Sequence, residues 1–525
     1  MSEGANPIGP PYPTDDWKAG FSPPRKHLAL AWACVALFYL AGVTGQWWPT
    51  KDSATYLGLA RSLADGQGYV FNGQPNNFFT PGLPYLLAGM RLLGFKGFWA
   101  PNFFIVLCGL GTIGLTYASL RRLTGEGLLS MAIALATAMS YTFYLNSHRI
   151  LTDVPGALVF WSLIYCVLRS RGGRWGWLAL AGLLSGAGIV LRAPLIVLIG
   201  PMVLGLLLDR RILPPGRRFL TCAVIAAAAL AALGFFLVRA CQVQPETPNY
   251  LHLMSTRSGL PAYLRRLAHG LPAMPTVTAE MFTSQEALWP IGLAVLILEM
   301  IGIVRFWQAG RRMAPTLAIL CPVLLALSMS NEGMRSRYLL PIQALMLLLA
   351  ADGLGWCVRT FSRLRRLAPR PQWSVWAILV FLGLAIVCNL PRTSRNAFYY
   401  SYLSYGPDYY RKIREAKYAD IYAAASILQR DCSPEALAAA PADETPVLHF
   451  LSNRRILALS KNQGSDTPST GAILGMLAAD ANLKFVILES PRVDRSSSDP
   501  PAALAAIPGM RLVLTGRYYL VYRRV

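Results

Sequence analysis

The feature that most constrains this chain is the recurrence of long apolar segments. They fall at about 28–48, 99–120, 127–145, 150–168, 175–191, 193–208, 219–238, 287–304, 314–330, 339–357 and 373–390. Each is of the order of the 17–25 residues a helix needs to cross a bilayer. Inside hydrocarbon the backbone must satisfy its own hydrogen bonds, so such segments fold as helices. The rest of the composition agrees. Charged residues make up 14% of the 525, against about 25% in a soluble protein, and the mean hydropathy is +0.40. The expected fold is an α-helical polytopic membrane protein with about eleven transmembrane helices.

The arginines set the orientation. Clusters precede the first span (Arg25, Lys26) and follow the second (Arg121, Arg122), the fourth (Arg169, Arg171, Arg174) and the sixth (Arg210, Arg211, Arg217, Arg218). Others follow the eighth (Arg305, Arg311, Arg312) and the tenth (Arg359, Arg363, Arg365, Arg366, Arg370). With eleven spans all of them fall on one side, which the positive-inside bias makes cytoplasmic. This placement accounts for a net charge of +23 without nucleic acid as a partner. The expected chain is a multi-pass protein of the inner (plasma) membrane with a cytoplasmic N-terminus. Residues 1–27 read as a disordered cytoplasmic tail, 28–390 as the transmembrane domain with a first outer loop at 49–98, and 391–525 as an extracytoplasmic domain. The first apolar segment is longer than a signal h-region and reads as an uncleaved span. Nine cysteines are scattered with no CxxC or zinc spacing, which argues against a metal–thiolate site. Cys241 and Cys432 lie outside the spans, and no sequence feature supports a bond between them.

Residues 391–525 change character. A tyrosine-rich approach at 398–410 leads to a helix at 409–429. Strand-like runs follow at 447–451, 456–458, 483–488, 511–514 and 518–522, with a helix at 471–481 and a surface loop at 494–501. Thr515-Gly516-Arg517 reads as a hairpin turn. A small α/β domain is expected.

Polar residues on the outer side are the candidates for chemistry. After Trp47-Trp48, an aromatic pair expected at the membrane–water boundary, comes Lys51-Asp52-Ser53 and a helix with Tyr56, Leu57, Leu59, Ala60, Leu63 and Ala64 on one face. Asp52, beside a lysine and near a helix N-terminus, should stay ionised and can accept a proton from an acceptor hydroxyl or amine. Equally, Asp52 or Ser53 can be a plain N-cap. A second apolar piece at 81–93 is too short to span. Between the third and fourth spans stand His148, Arg149, Thr152 and Asp153. An acid there wants a cavity or a partner, and helix capping by Thr152 or Asp153 is the plainer reading. His148 reads as an interfacial side chain. Arg335, Arg337 and Tyr338 enter the tenth span, and outer-side arginines at this depth suit a lipid phosphate, snorkelling or Glu332. Arg192 is a weaker phosphate candidate. There is no P-loop and no GxSxG.

These pieces in this order resemble the C-type (GT-C) glycosyltransferases, in the branch of the protein O-mannosyltransferases and lipid A aminoarabinose transferases. Asp52, Tyr56, Ala60, Leu63, Gly66, Gly68-Tyr69 and Pro81-Gly82-Leu83-Pro84 are similar to the family's first outer loop. Thr152-Asp153 is similar to its second motif, and Arg337-Tyr338-Leu339-Leu340-Pro341 to its third. The resemblance covers most of the chain. It implies a GT-C-like membrane domain with an extracytoplasmic α/β domain, and transfer of a sugar from a polyprenyl-phosphate donor to a lipid, glycan or protein acceptor amid membrane lipids. It implies catalytic roles for Asp52 and Asp153 and donor-phosphate binding by Arg337, Arg335 and Arg192. Lys51, Tyr56, His148 and Tyr338 are candidates for acceptor binding or support. No cofactor is certain. A divalent metal is possible, but it would need Asp52, Asp153 and a third ligand, and where many relatives carry two acids in the first loop this chain has one. A polyprenyl-lipid or glycolipid flippase and a non-catalytic scaffold are the alternatives, and a flippase explains the outer domain less well.

Overall fold

The structure is a computed structural model that describes residues 24–76, 78–172, 174–242, 260–328, 335–365, 371–400, 417–459, 470–489 and 509–525. In chain order the helices are α1 (Arg25–Ala41), α2 (Lys51–Ala64), α3 (Gly82–Leu92), α4 (Trp99–Thr124), α5 (Gly127–Met139), α6 (Tyr141–Asn146) and α7 (Asp153–Arg169). Then come α8 (Trp175–Leu191), α9 (Ile196–Leu208), α10 (Pro215–Gln242), α11 (Leu260–Gly270), α12 (Met274–Thr283) and α13 (Trp289–Gln308). They are followed by α14 (Met313–Ser328), α15 (Gln343–Leu364), α16 (Pro371–Ser394), α17 (Lys417–Asp431), α18 (Thr445–Ser452) and α19 (Thr470–Ala479). The strands are β1 (Val70–Phe71), β2 (Gln74–Pro75), β3 (Leu437–Pro441), β4 (Arg455–Leu459), β5 (Leu483–Glu489), β6 (Met510–Thr515) and β7 (Tyr519–Arg524). The expected N-terminal tail to residue 23, Glu332, most of the tyrosine-rich approach and the loop at 494–501 lie outside the described residues.

The chain folds as two compact units. The first holds residues 1–43, 77–83 and 99–401 and is helical. Among the described residues, six of its helices are long and apolar enough to cross a membrane, and five more apolar helices are shorter. Each apolar segment read from the sequence meets a helix. α1 stops at Ala41, short of the expected 48, with Gly42 as its C-cap. The expected span at 127–145 breaks at Ser140 into α5 and α6, and the Tyr141 N–H exposed by the break donates to Asn389 Oδ1 of α16 (2.9 Å). α7 is central, with 72% of its spanning window buried, whereas α10, α13 and α16 are peripheral at 28% each.

At one end of this unit the arginine clusters tie the turns together. Arg171 Nε donates to the Ile212 carbonyl, and Arg217 Nη1 donates to the carbonyls of Ser170 (3.2 Å) and Arg171 (2.9 Å). Asp209, fully buried, accepts from the backbone N–H of Met313 at the start of α14 (3.2 Å). Arg169 closes α7 at this end, and Asp153 opens α7 at the other, about 25 Å away for 17 helical residues.

The second unit holds residues 44–76, 84–98 and 402–525. Most of the first outer loop therefore packs with the C-terminal domain. Its sheet has the order β4-β3-β5-β7-β6. β4 and β5 run parallel to β3, while β7 is antiparallel to β5 and β6. The β6–β7 hairpin turns at Gly516 as expected, and Asp420 of α17 accepts from the Tyr518 N–H (2.6 Å). One expectation fails: 447–451 is helical, within α18, which has a proline in its first turn and Asn453 in the left-handed region as its C-cap. β3 was not foreseen because Leu-Ala-Ala-Ala-Pro has little strand propensity. It is a strand because it is wholly buried between β4 and β5. Cys432 is a free, buried thiol.

Trp47 does not present its ring to the surroundings. It is fully buried in the second unit, stacked on Phe98 at 5.9 Å and edge-on to Phe450 of α18 at 4.9 Å. Its indole N–H donates to Ser53 Oγ (2.9 Å). Asn72-Gly73 makes a two-residue hairpin turn between β1 and β2, both residues with positive φ (55° and 76°), as the Asn-Gly pair favours. The Asn72 side chain then acts as a peptide group toward the edge strand β4. Its Nδ2 donates to the Ile456 carbonyl (2.6 Å), and its Oδ1 accepts from the Ile456 N–H (2.8 Å).

His449 of α18 completes this contact. The Asn72 N–H donates to Nε2 (3.1 Å), which fixes the neutral tautomer with Nδ1–H donating to the Arg454 carbonyl (2.7 Å). Burial, with Arg61 nearby, holds the imidazole below its ordinary 6.5. Between that lowered value and 6.5 the unfolded chain binds a proton that the folded one does not. Stability of the second unit should therefore be full above pH 6.5 and fall as the pH drops below it. His449→Gln should flatten the dependence of the melting midpoint on pH below 6.5, a slope that thermal unfolding in detergent measures.

Candidate active site

The sequence candidates divide between the units: Lys51, Asp52 and Tyr56 stand on α2 of the second, and the others belong to the first.

On α2 the capping question is settled. The N-cap is Thr50, whose Oγ1 accepts from the Ser53 N–H (3.0 Å), while Ser53 Oγ accepts from the Thr50 N–H (3.0 Å). This is a reciprocal capping box. Neither Asp52 nor Ser53 is the N-cap, and the helix end does not need the Asp52 carboxylate. Asp52 lies in the positive first turn of α2, partly exposed, while residues 53–60 are buried nearly all round. Tyr56 is buried. Lys51 forms an ion pair with Asp443, both side chains about half exposed, so it adds little stability.

In the first unit, Arg192 organises the site. It is the C-cap of α8, with extended backbone. Its Nη1 lies 2.7 Å from Asp153 Oδ1, with side-chain exposures of 13% and 4%, and donates to Thr152 Oγ1 (3.2 Å). Neither Thr152 nor Asp153 makes a side-chain cap on α7. Thr152 occupies the N-cap position without a side-chain cap bond, and Asp153 is held in a buried ion pair. The same guanidinium stands 5.8 Å from the Tyr338 ring centre. Arg337 stands 5.0 Å from that ring, and its Nη2 donates to the Tyr338 hydroxyl (3.1 Å). Two guanidinium groups thus stand close to one tyrosine ring. Arg335, Ser336, Arg337 and Tyr338 lie in an extended residue and a short 3-10 turn that precede α15, rather than in the helix itself.

The 80–83 motif reaches the same corner. Thr80 Oγ1 donates to the carbonyl of Leu191 (2.9 Å), the residue before Arg192. A Cβ on Gly82 would lie 2.6 Å from the Leu191 Cα, so only glycine fits there.

His148 is not aimed at this cluster. Its Nδ1 faces the Tyr144 carbonyl and its Nε2 the Tyr39 carbonyl, both at 2.9 Å. Its ring packs on Tyr144 at 4.2 Å. It ties the end of α1 to α6, which is a structural role.

Sequence reasoning missed Glu280. This half-buried residue of α12 is hydrogen-bonded to Ser336, with the charges of Glu286, Arg392 and Arg335 around it. Burial is the largest influence and pushes its carboxyl up. Ser336 also meets Thr142 of α6 at 3.4 Å. Glu280 stands some 55 residues before its partners in a segment with no motif, so the sequence carried no signal for it.

The donor set does not fit a divalent metal. Among the described residues no three His, Cys, Asp or Glu side chains gather, and Asp153 is paired with Arg192.

Comparison with known proteins gives one family match over part of the chain and matches to solved structures over most of it. Residues 78–236 match the profile of the dolichyl-phosphate-mannose-protein mannosyltransferase family. The crystal structure of ArnT from Cupriavidus metallidurans bound to undecaprenyl phosphate is similar at a TM-score of 0.59 and 16% identity, over 96% of this chain and 99% of that one. The same protein in the apo state is similar at a TM-score of 0.54. The oligosaccharyltransferase AglB from Archaeoglobus fulgidus, solved with an inhibitory peptide and a dolichol-phosphate, is similar at 0.51 and 13% identity, over 89% of this chain and 70% of that one. No curated protein sequence matches. The fold is similar to that of ArnT, a helical unit with a small C-terminal sheet domain. The family match and the two fold matches return the enzyme class that the sequence motifs pointed to, and ArnT matches over nearly the whole length of both chains.

Proposed function

We propose that this chain transfers a sugar from a polyprenyl-phosphate donor to a lipid, glycan or protein acceptor on the extracytoplasmic face of the inner membrane. The observation that carries the reading is the cluster of Arg192, Arg337 and Tyr338 beside the buried Asp153 in a fold of this class. The orientation follows from the arginine-rich turns at the other end of α7, which the positive-inside bias places in the cytoplasm.

Asp52 accepts the proton of the acceptor hydroxyl or amine. The acceptor's lone pair forms a bond to the anomeric carbon. The bond from that carbon to the phosphate oxygen breaks, and its electron pair leaves with polyprenyl phosphate. Arg337, with Arg335, holds the negative charge that develops on the departing phosphate. Arg192 supports this from behind: its charge is balanced by Asp153, and its stacking on Tyr338 orients the residue next to Arg337. The exposed apolar side chains of α3, Tyr85, Leu86 and Leu92, offer a surface for the polyprenyl tail.

Arg337→Ala should weaken donor binding about tenfold or more, the loss of one charge-assisted contact of roughly 1.5–3 kcal/mol. Titration of the purified protein with undecaprenyl phosphate measures this. Affinity equal to that of the wild type would remove Arg337 from the phosphate site.

A further inference from the structure

The arginine-rich end of the membrane unit carries a site the transfer reaction does not use. α10 is 28 residues long and opens with Pro215-Gly216-Arg217-Arg218 and no acid in its first turn. The first turn of a helix is electropositive and favours anions. Two arginines there are unfavourable unless something negative joins them.

Arg217 spreads its charge over the carbonyls of Ser170 and Arg171. Arg218 does not. It is 7% exposed. Its Nε and Nη1 are buried and meet no hydrogen-bond partner among the described residues. Its guanidinium lies 5.6 Å from the ring of Phe219. Cys222, one turn on, donates to the Val203 carbonyl of α9, so it offers the arginine nothing. The acid of the neighbouring turn, Asp209, accepts from the backbone N–H groups of Arg211 (3.1 Å) and Met313 (3.2 Å). A buried guanidinium without an anion is costly. Long side chains on a helix point back toward its N-terminus, so Arg218 leans over the helix end that also attracts anions.

The surroundings say what brings the anion. α10 is peripheral, with 28% of its spanning window buried. Phe219 and Leu230, eleven positions apart and so on one face, are each 62% exposed. That apolar stripe is about 16 Å long at 1.5 Å per residue. Arg211 stands exposed beside the site, which favours a negatively charged headgroup over a zwitterionic one.

We propose that Arg218 and the N-terminus of α10 bind the phosphate of an anionic membrane phospholipid, whose acyl chains lie along Phe219 and Leu230. The lipid supplies both the missing anion and the cover for the apolar stripe.

The test is thermal unfolding of the purified full-length protein in a mild detergent. Dioctanoyl-phosphatidylglycerol should raise the midpoint in a saturable way, because a ligand bound only by the folded state stabilises it. Dioctanoylglycerol, which lacks the phosphate, and inorganic phosphate, which lacks the chains, should leave it unchanged. Arg218→Gln should weaken the phosphatidylglycerol response at least tenfold, while Arg210→Gln changes it less than twofold. No response to phosphatidylglycerol, or an equal response in Arg218→Gln, would overturn the proposal. A response to inorganic phosphate as large as that to the phospholipid would overturn the lipid assignment. If Arg218→Gln does not fold, the three wild-type titrations decide by themselves.

Discussion

Asp52→Asn is expected to lower sugar transfer about 100- to 10,000-fold, the range for losing a general base, with no loss of folding. The substitution leaves the cap of α2 in place. The cap of α2 is built from Thr50 and Ser53, and Asn is isosteric with Asp. The melting midpoint of Asp52→Asn should stay near that of the wild type, and donor binding should be retained. Thr50→Ala is the matched control. It removes the cap, should cost about 1 kcal/mol of stability, and should leave the transfer rate at low temperature within a few-fold of normal. Together the two variants separate the chemistry of the first outer loop from its architecture. Near-normal transfer by Asp52→Asn would remove this carboxylate from the mechanism.

The second large effect is on stability. Asp153 and Arg192 form a buried pair, with side chains 4% and 13% exposed. Removing either partner alone leaves an uncompensated charge among buried neighbours and should cost about 3–5 kcal/mol. Asp153→Leu and Arg192→Leu should each lower the melting midpoint sharply. The double variant should lose much less than the sum of the two, because replacing a buried pair by apolar side chains is often near neutral. Unfolding of the single variants and the double variant in the same detergent gives the coupling directly. If the losses add, the two residues act independently and the site has been described wrongly. Recovery of stability in the double variant without recovery of transfer would separate the pair's structural role from its functional one.

Much of the architecture was legible in the sequence because hydropathy and arginine placement act locally. The apolar segments all meet helices, and the C-terminal sheet domain is present, its hairpin turning at Gly516 as read. What was not legible depends on partners far away in the chain. The pairing of Arg192 with Asp153, thirty-nine positions earlier, is one such contact. Trp47 reads as an interface residue until Phe450 covers it. β3 reads as nothing in particular because its strand character comes from burial between two neighbours. His148 has a chemically capable side chain whose two nitrogens are taken by backbone carbonyls. The cap of α2 was closer to legible. Thr50 and Ser53 have the spacing of a capping box, but serine stands where glutamate or glutamine usually signals it.

The central claim is that this chain moves a sugar from one molecule to another. The direct measurement uses proteoliposomes of the purified protein with lipid-linked sugars and an acceptor-containing envelope extract from the host cell, the sugars labelled by growth on radioactive glucose. The expected result is label leaving the polyprenyl-phosphate fraction for an acceptor, with free polyprenyl phosphate released in equal amount, and neither change with Asp52→Asn. Label that crosses the bilayer still attached to its polyprenyl phosphate, with none released, would contradict the account and identify a lipid flippase instead.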